Sequence, residues 1–408
     1  MASWRVSLLL DIVSKVYIVK DSIVEIHKRI HKPIADATGL PNNRYVNADA
    51  FVEDRDLVLS QGWAALAFID DLPEANYALP IEFMGLPLLI TRDKTDIYRV
   101  FHNVCSHRGM HLADAPCRTN GTVRCPYHSW TYELDGSLRG TPHVGGYGTH
   151  THPDFDKSAN GLRTIRSTVW LGTVFINLSG TAPEFEDYIA PLDRQFNTLC
   201  NAEQRARFIA KPTGCRTQLT VQSNWKLACE NYLESYHLPS VHPELNRISP
   251  LDQHFTLDYF DFGAGQGTLN YQRLNINDKE LPTLEGWPGD QVNKALYPVL
   301  YPNTLIGIHA DHLFIMILQP INEHQTTEHV RLSYVGEKAL GDDYQKHREA
   351  LLASWTNVFE EDIFAVERMQ KGRSSPAYQG GAFAPAMDEP THHFHRWVAE
   401  QLLTHAIS

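Results

Sequence analysis

The chain is 408 residues long, which suits two or three domains at roughly 150 residues each. Hydrophobic residues at 43% and charged residues at 21% are ordinary globular values and exclude a mainly disordered or fibrous chain. Lys and Arg number 36 against 48 Asp and Glu, and the formal charge of −12 argues against broad nucleic-acid binding, which calls for a basic surface. At this size a large core forms without a disulfide framework.

Residues 7–20 are apolar-rich, but Asp11 and Lys15 interrupt them, and about 20 mostly uncharged residues are needed to span a bilayer. Lys20, Lys28, Arg29 and Lys32 follow the apolar part, the wrong polarity for a secretory signal. The expectation is an extra N-terminal helix or an over-long start, on a soluble cytoplasmic protein.

Residues 47–61 read as a helix carrying Phe51, Leu57 and Val58. From Trp63 to Asn177 the chain turns strand-like, with short β-branched or aromatic runs at 86–91, 98–101, 129–134 and 169–176. Asp135-Gly136 reads as a hairpin turn, since Gly tolerates positive φ. Helical patterns return at 188–199, 225–236 and 344–371, with strand-like runs at 208–219 and 313–319. The predicted fold is α+β: a small all-β domain over 63–177, then a larger domain over 178–408 with an antiparallel sheet covered by helices. Residues 41–62 form a helical lead-in to the larger domain, and 1–40 an extension of unknown role.

The β segment carries Asn103-Val-Cys105-Ser-His107-Arg-Gly109 and, with seventeen residues between His107 and Cys125, Cys125-Pro-Tyr-His128-Ser-Trp130. Two thiolates and two imidazoles at these intervals are metal-ligand chemistry. A tetrahedral zinc and a two-iron cluster with two His in place of two Cys both use this donor set. Zinc pairs usually come as C-x2-C and H-x3–5-H, whereas C-x-H with C-x2-H matches the Rieske arrangement. Gly109 and Pro126 are expected to shape the loop tips. Cys117, Cys200, Cys215 and Cys229 have no paired spacing and are expected as thiols.

In the larger domain, Asn224-Trp-Lys leads into Glu230-Asn231-Tyr-Leu-Glu234-Ser-Tyr-His237, then Pro239, His242 and Pro243. Five residues of regular helix turn about 500°, so two His at this spacing meet one ion only where the helix is interrupted. Pro239 and Pro243 are expected to interrupt it. A carboxylate would complete the two-His-one-carboxylate triad of non-haem Fe(II). Over 351–371, Trp355, Val358, Phe359, Val366 and Met369 share one helical stripe with Asp362 near its centre. Glu360, Glu361 and Glu367 fall outside it, towards solvent. A carboxylate on a buried face needs a strong partner, which singles out Asp362.

The two constellations together resemble the Rieske non-haem iron oxygenases, specifically the large (alpha) terminal oxygenase subunit. The resemblance runs from Pro41 to the end and includes Trp63, both Cys-His loops, the run from Glu230 to Pro243, Glu361-Asp362 and the tail Pro390-Thr-His-His-Phe-His-Arg-Trp. It implies that Cys105 and Cys125 hold one iron of a 2Fe–2S cluster and His107 and His128 the other. It implies a mononuclear Fe(II) on His237, His242 and Asp362, with Asn231 and Glu234 as further active-centre residues. Glu234 takes the place of the acidic residue that bridges one subunit's cluster to its neighbour's iron, which implies a homotrimer or an alpha3-based ring.

The resemblance also implies O2 as co-substrate and electrons from a separate reductase, with or without a ferredoxin. NAD(P)H serves only through that partner, since Gly263-Ala-Gly265-Gln-Gly267 lacks the dinucleotide spacing. Glu at position 234 favours the choline- and carnitine-type monooxygenases, acting on quaternary ammonium compounds, over the aromatic ring-hydroxylating enzymes and O-demethylases. Phe255, Tyr259, Phe260, Phe262, Tyr271, Trp287, Tyr297 and Tyr301 are candidates for a cation cage, although most aromatic residues of this kind are core. An electron carrier without oxygenase activity is the remote alternative; it has no use for a second domain with three further metal-binding residues.

Overall fold

The computed structural model describes residues 23–211 and 214–407, so the apolar stretch over 7–20 lies outside the described residues. The chain forms two compact units, one of residues 62–185 and one of residues up to 61 together with 186–408. Among the described residues no helix is long and apolar enough to cross a membrane, and the six cysteines form no disulfide.

The smaller unit is all antiparallel β. Its seven-stranded sheet runs in the order Ala64–Phe68, Thr173–Asn177, Thr164–Trp170, Tyr98–His102, Leu86–Arg92, Tyr77–Phe83, Cys117–Arg118. A three-stranded ladder of Thr122–Arg124, Thr131–Glu133 and Leu138–Gly140 stands beside it in the chain's smaller core. The run over 169–176, read from sequence as one strand, is two strands. Leu171 and Gly172 turn the chain at φ of 47° and 69°, a two-residue hairpin whose twist suits its strands. Leu rarely adopts positive φ, so the pattern gave no sign of the turn. At the other hairpin Gly136 has φ +87°, and Ser137 donates its N–H and hydroxyl to Asp135 Oδ1 at 2.9 and 2.6 Å.

The larger unit is built on an eight-stranded antiparallel sheet. Its order is Phe208–Ile209, Gln325–Val335, His312–Asn322, Thr304–Ile308, Ala295–Leu300, Gly263–Thr268, His254–Thr256, with Arg216–Val221 also paired to Gln325–Val335. Ala295–Leu300 and Thr304–Ile308 are buried throughout, the pattern of strands covered on both faces. The Gly-rich run Gly263–Thr268 is one of these strands. A Cβ on Gly265 would sit 2.6 Å from Pro298 Cα and Tyr297 O, so the glycine permits close backbone approach.

Two helices, Trp225–Tyr232 and Gln345–Gly372, carry residues of the candidate site in this unit, and Glu389–Ile407 is its last helix. Residues 23–30 form a further helix whose Ile23, Ile26 and Ile30 are buried at helical spacing. This segment packs on the last helix: His392 Nε2 bonds Ile30 O at 2.7 Å, and Leu40 N–H donates to His395 Nδ1 at 2.9 Å.

The helix expected over 47–61 is regular only from Ala48 to Glu53 and continues as a π-helical turn, Asp54–Leu59. Leu57 is only partly buried, while Asp54 is fully buried and accepts from Arg44 at 2.6 Å, from Trp225 Nε1 at 3.3 Å and from Lys226. A widened turn carrying a buried charge is a feature that hydrophobic periodicity does not encode.

Candidate metal centre

The first His-bearing segment begins at the helix Trp225–Tyr232, capped by Asn224, whose side chain accepts the Lys226 N–H at 3.2 Å. That helix stops before the histidines. His237 precedes a single turn, Leu238–Val241, in which Pro239 sits where a missing N–H costs nothing. The interruption falls at His242 itself, at φ −121° and ψ 65°, and Pro243 opens the next helix, Pro243–Ile248. Pro239 therefore starts a helical turn rather than breaking one. The two imidazoles lie 5.0 Å apart at 70°.

The helix Gln345–Gly372 delivers Asp362 to them. Donor atoms of His237, His242 and Asp362 all lie within 4.8 Å of one another. Asp362 Oδ1 is 2.9 Å from His242 Nε2 and 3.6 Å from His237 Nε2. Asn231 Nδ2 donates to the same oxygen at 2.7 Å. Each imidazole spends Nδ1 on another carboxylate, His237 on Glu234 at 2.6 Å and His242 on Glu361 at 2.8 Å. With Nδ1–H donated outward, both Nε2 atoms carry lone pairs towards one point, as a divalent metal requires. The donor set fits an oxygen-activating non-haem iron.

Glu361 corrects the sequence expectation of a solvent-facing residue. It is half-buried, because His242 approaches the helix from its side, and Asn357 holds its other oxygen at 2.9 Å. Met369 is a second correction: it is exposed, and Gln370 is the buried residue, bonding the Tyr45 carbonyl at 3.0 Å. Burial would lower the His242 imidazole, but Asp362 and Glu361 outweigh it and raise it above the ordinary value. Glu328, from the strand Gln325–Val335, was not anticipated. Burial and the Asp362 carboxylate push its carboxyl up to about 8.

The cavity at these residues is walled by Tyr232, Tyr297, Trp355 and Phe359 and by Leu238, Leu245 and Val358. Its remaining polar groups form a closed chain: Ser249 Oγ to His254 Nε2 at 3.0 Å, and His254 Nδ1 to Gln266 at 2.9 Å. His254 and Gln266 also line a second, larger cavity of about 450 Å³, together with Glu234 and Asp252. Of the eight aromatic residues proposed from sequence for a cage, Tyr297 lines the first cavity and Phe255 the second. The others pack elsewhere, as Phe262 does on Tyr188 and Tyr301 on Trp397.

In the smaller unit the two Cys-His loops share one backbone design. Cys105 N–H donates to Met110 O and Cys125 N–H to Trp130 O, both at 2.8 Å. Gly109 and Ser129, each four residues after its Cys, donate back to the Cys carbonyl and have φ of +70° and +59°. Ser129, not Pro126, thus makes the left-handed turn of the second loop. The His107 and His128 rings lie 4.7 Å apart, and both cysteines are buried. Burial pushes the Cys105 thiol up, although Tyr132 Oη bonds its sulfur at 3.1 Å. His128 Nδ1 is buried with no hydrogen-bond partner, an orphan that a cluster iron would satisfy.

Comparison with known proteins agrees with this geometry. Residues 62–153 match the family "Rieske [2Fe-2S] domain", and residues 211–404 match "Ring hydroxylating alpha subunit (catalytic domain)". The carnitine monooxygenase oxygenase subunit of Acinetobacter pittii is 25% identical over 346 residues, covering 83% of this chain and 86% of that protein. The chloroplastic choline monooxygenase of Arabidopsis thaliana is 28% identical over 370 residues, covering 89% and 82%. A solved quaternary ammonium Rieske monooxygenase, CntA with L-carnitine, shares the fold at TM-score 0.72 and 22% identity over 92% of this chain and 98% of that one. Naphthalene 1,2-dioxygenase from Rhodococcus shares it at 0.69 and 18%, over 93% and 97%. With both family matches in chain order over an all-β unit and an α+β unit, the chain belongs to the Rieske non-haem iron oxygenases, as a large (alpha) terminal oxygenase subunit.

Proposed function

We propose that this oxygenase hydroxylates or oxidatively N-demethylates a quaternary ammonium compound, drawing two electrons from a separate reductase. The observation that carries the reading is the cavity beside His237, His242 and Asp362. Tyr232, Tyr297, Trp355 and Phe359 border it, and no Lys or Arg is among its lining residues. Aromatic faces attract quaternary ammonium heads, and no Lys or Arg among the described lining residues competes for them. Relatives named as carnitine, choline and glycine betaine monooxygenases support the same class. The apolar wall of Leu238, Leu245 and Val358 favours a second reading, an aromatic ring hydroxylase or O-demethylase.

In this reading Cys105, His107, Cys125 and His128 hold the 2Fe–2S cluster, and His237, His242 and Asp362 the mononuclear iron. The cluster supplies electrons singly and the iron supplies O2 activation. Overall, O2, two electrons and two protons convert one C–H bond to C–OH and release water. Hydroxylation of an N-methyl group gives a hydroxymethyl ammonium that loses formaldehyde and a proton and leaves the demethylated amine. Glu361 and Glu234 hold the two imidazoles by Nδ1, Asn231 orients Asp362, and the apolar wall excludes water from the substrate.

The test is a single turnover: chemically reduced protein receives O2 with a mixed pool of quaternary amines and aromatic acids. A hydroxylated or dealkylated amine is expected in the mass spectrum. A diol or hydroxylated ring in its place would move the protein to the second reading.

Glu234 has a further part, the link to a neighbouring subunit's cluster in a ring-shaped trimer. Glu234→Gln keeps an oxygen for His237 Nδ1 and is expected to retain both metals. Transfer from cluster to iron should slow by more than about ten-fold, the scale of losing an outer partner of a metal ligand. Wild-type single-turnover rates in that variant would remove the bridging role.

A further inference from the structure

Trp355 borders the cavity, and its indole nitrogen is tied to a buried carboxylate through one imidazole. Trp355 Nε1 lies 3.0 Å from His312 Nε2, and His312 Nδ1 lies 2.7 Å from Asp311 Oδ1. All three side chains are buried, His312 completely. The proton positions follow from chemistry. An indole N–H only donates, so His312 Nε2 is the acceptor. The imidazole proton therefore sits on Nδ1 and is donated to Asp311.

Negative charge at Asp311 thus pulls on the His312 proton, makes Nε2 a stronger acceptor and draws the indole N–H, leaving more electron density on the indole ring. The relay is held on both sides: His309 stacks on His312 at 4.0 Å and 16°, and Tyr271 lies parallel to Trp355 at 5.9 Å and 6°. An electron-rich indole beside the candidate iron ligands is suited to a cation with no hydrogen-bond donors.

We propose that Asp311 and His312 are positioning residues that act through Trp355, and that Trp355 contacts the quaternary ammonium head and makes the cavity prefer a cation to a neutral group of the same shape. This rests on the quaternary ammonium reading above. A purely mechanical clamp on Trp355 would affect charged and uncharged ligands alike, whereas the relay acts on charge alone.

The experiment measures binding of choline and of dimethylbutanol, whose tert-butyl group copies the trimethylammonium head without its charge, to the metal-loaded protein. The wild type is expected to bind choline more tightly. Asp311→Asn, which can still accept from His312, should weaken choline by about ten-fold and leave dimethylbutanol within about two-fold. Trp355→Phe, which keeps a ring but lacks the N–H, should weaken choline and abolish any further effect of Asp311→Asn in the double variant. Equal losses for both ligands would reduce the relay to a clamp and overturn the proposal. Choline preference that survives Asp311→Asn unchanged would overturn it while leaving the substrate class intact. A wild type that prefers dimethylbutanol, or ignores choline, would overturn the substrate class and the proposal with it.

Discussion

Replacing Asp362 with alanine is expected to empty the mononuclear site and leave the cluster in place. Iron should fall from about three to about two per chain while labile sulfide stays at about two. Asp362 is the sole carboxylate whose oxygen reaches both Nε2 atoms among the described residues, and the flanking Glu234 and Glu361 are committed to the Nδ1 atoms. Losing an outer partner of a metal ligand typically costs 10–100-fold, so loss of the carboxylate itself should cut turnover by more than about 100-fold. The side chain is partly exposed, so little core is disturbed and the thermal midpoint should hardly move. Retention of all three irons with wild-type turnover would remove Asp362 from the ligand set.

Asp54→Ala should give the largest loss of stability. Asp54 is fully buried between Arg44 and Lys226, and Lys226 is itself fully buried. Burying paired charges is close to break-even, but removing one partner strands the other, at about 3–5 kcal/mol. Here two cations lose the same anion, and Arg44 keeps only Glu53 and the Ala50 carbonyl. Burial already lowers the Lys226 ammonium below its ordinary value, with Asp54 opposing that fall. Without Asp54 the folded state sheds the Lys226 proton more readily than the unfolded chain. Stability of the variant should therefore rise with pH towards the ordinary lysine value and fall as the medium is acidified. Urea midpoints at pH 6 and pH 9 would show this; equal midpoints would mean that Lys226 stays charged by other means.

How far the sequence carries can be judged residue by residue. The α+β class and its order followed from run length and periodicity, because strands of five to seven residues and a 28-residue helix leave strong local patterns. Helical arithmetic put Asp362 on the stripe of Trp355, Phe359 and Val366, and those three are buried in the structure. The same arithmetic sent Glu361 to solvent, because it knows the helix axis and not the direction from which His242 arrives. The aromatic residues chosen for a cage clustered in sequence between 255 and 301, yet Tyr232, Trp355 and Phe359 reach the cavity from helices distant in the chain. Asp311 and His312 gave no signal either, since their connection to Trp355 spans 43 residues and exists only across the packed unit.

The smaller unit begins and ends at neighbouring strands: Ala64 pairs with Ile176 and Phe68 with Thr173. Its 62–185 span therefore closes on itself and interrupts the larger unit's chain, as a guest inserted in sequence into a host. During synthesis the guest is complete before the host is. Asp54 has Arg44 ten positions before it but must wait for its second cation, Lys226, 172 positions later. The segment around Asp54 leaves the ribosome with Arg44 at hand but without Lys226, while the Cys-His loops already have every strand they need. Order of assembly then follows from connectivity: the unit that carries the cluster loops can close first, and the unit that carries Asp362 closes last.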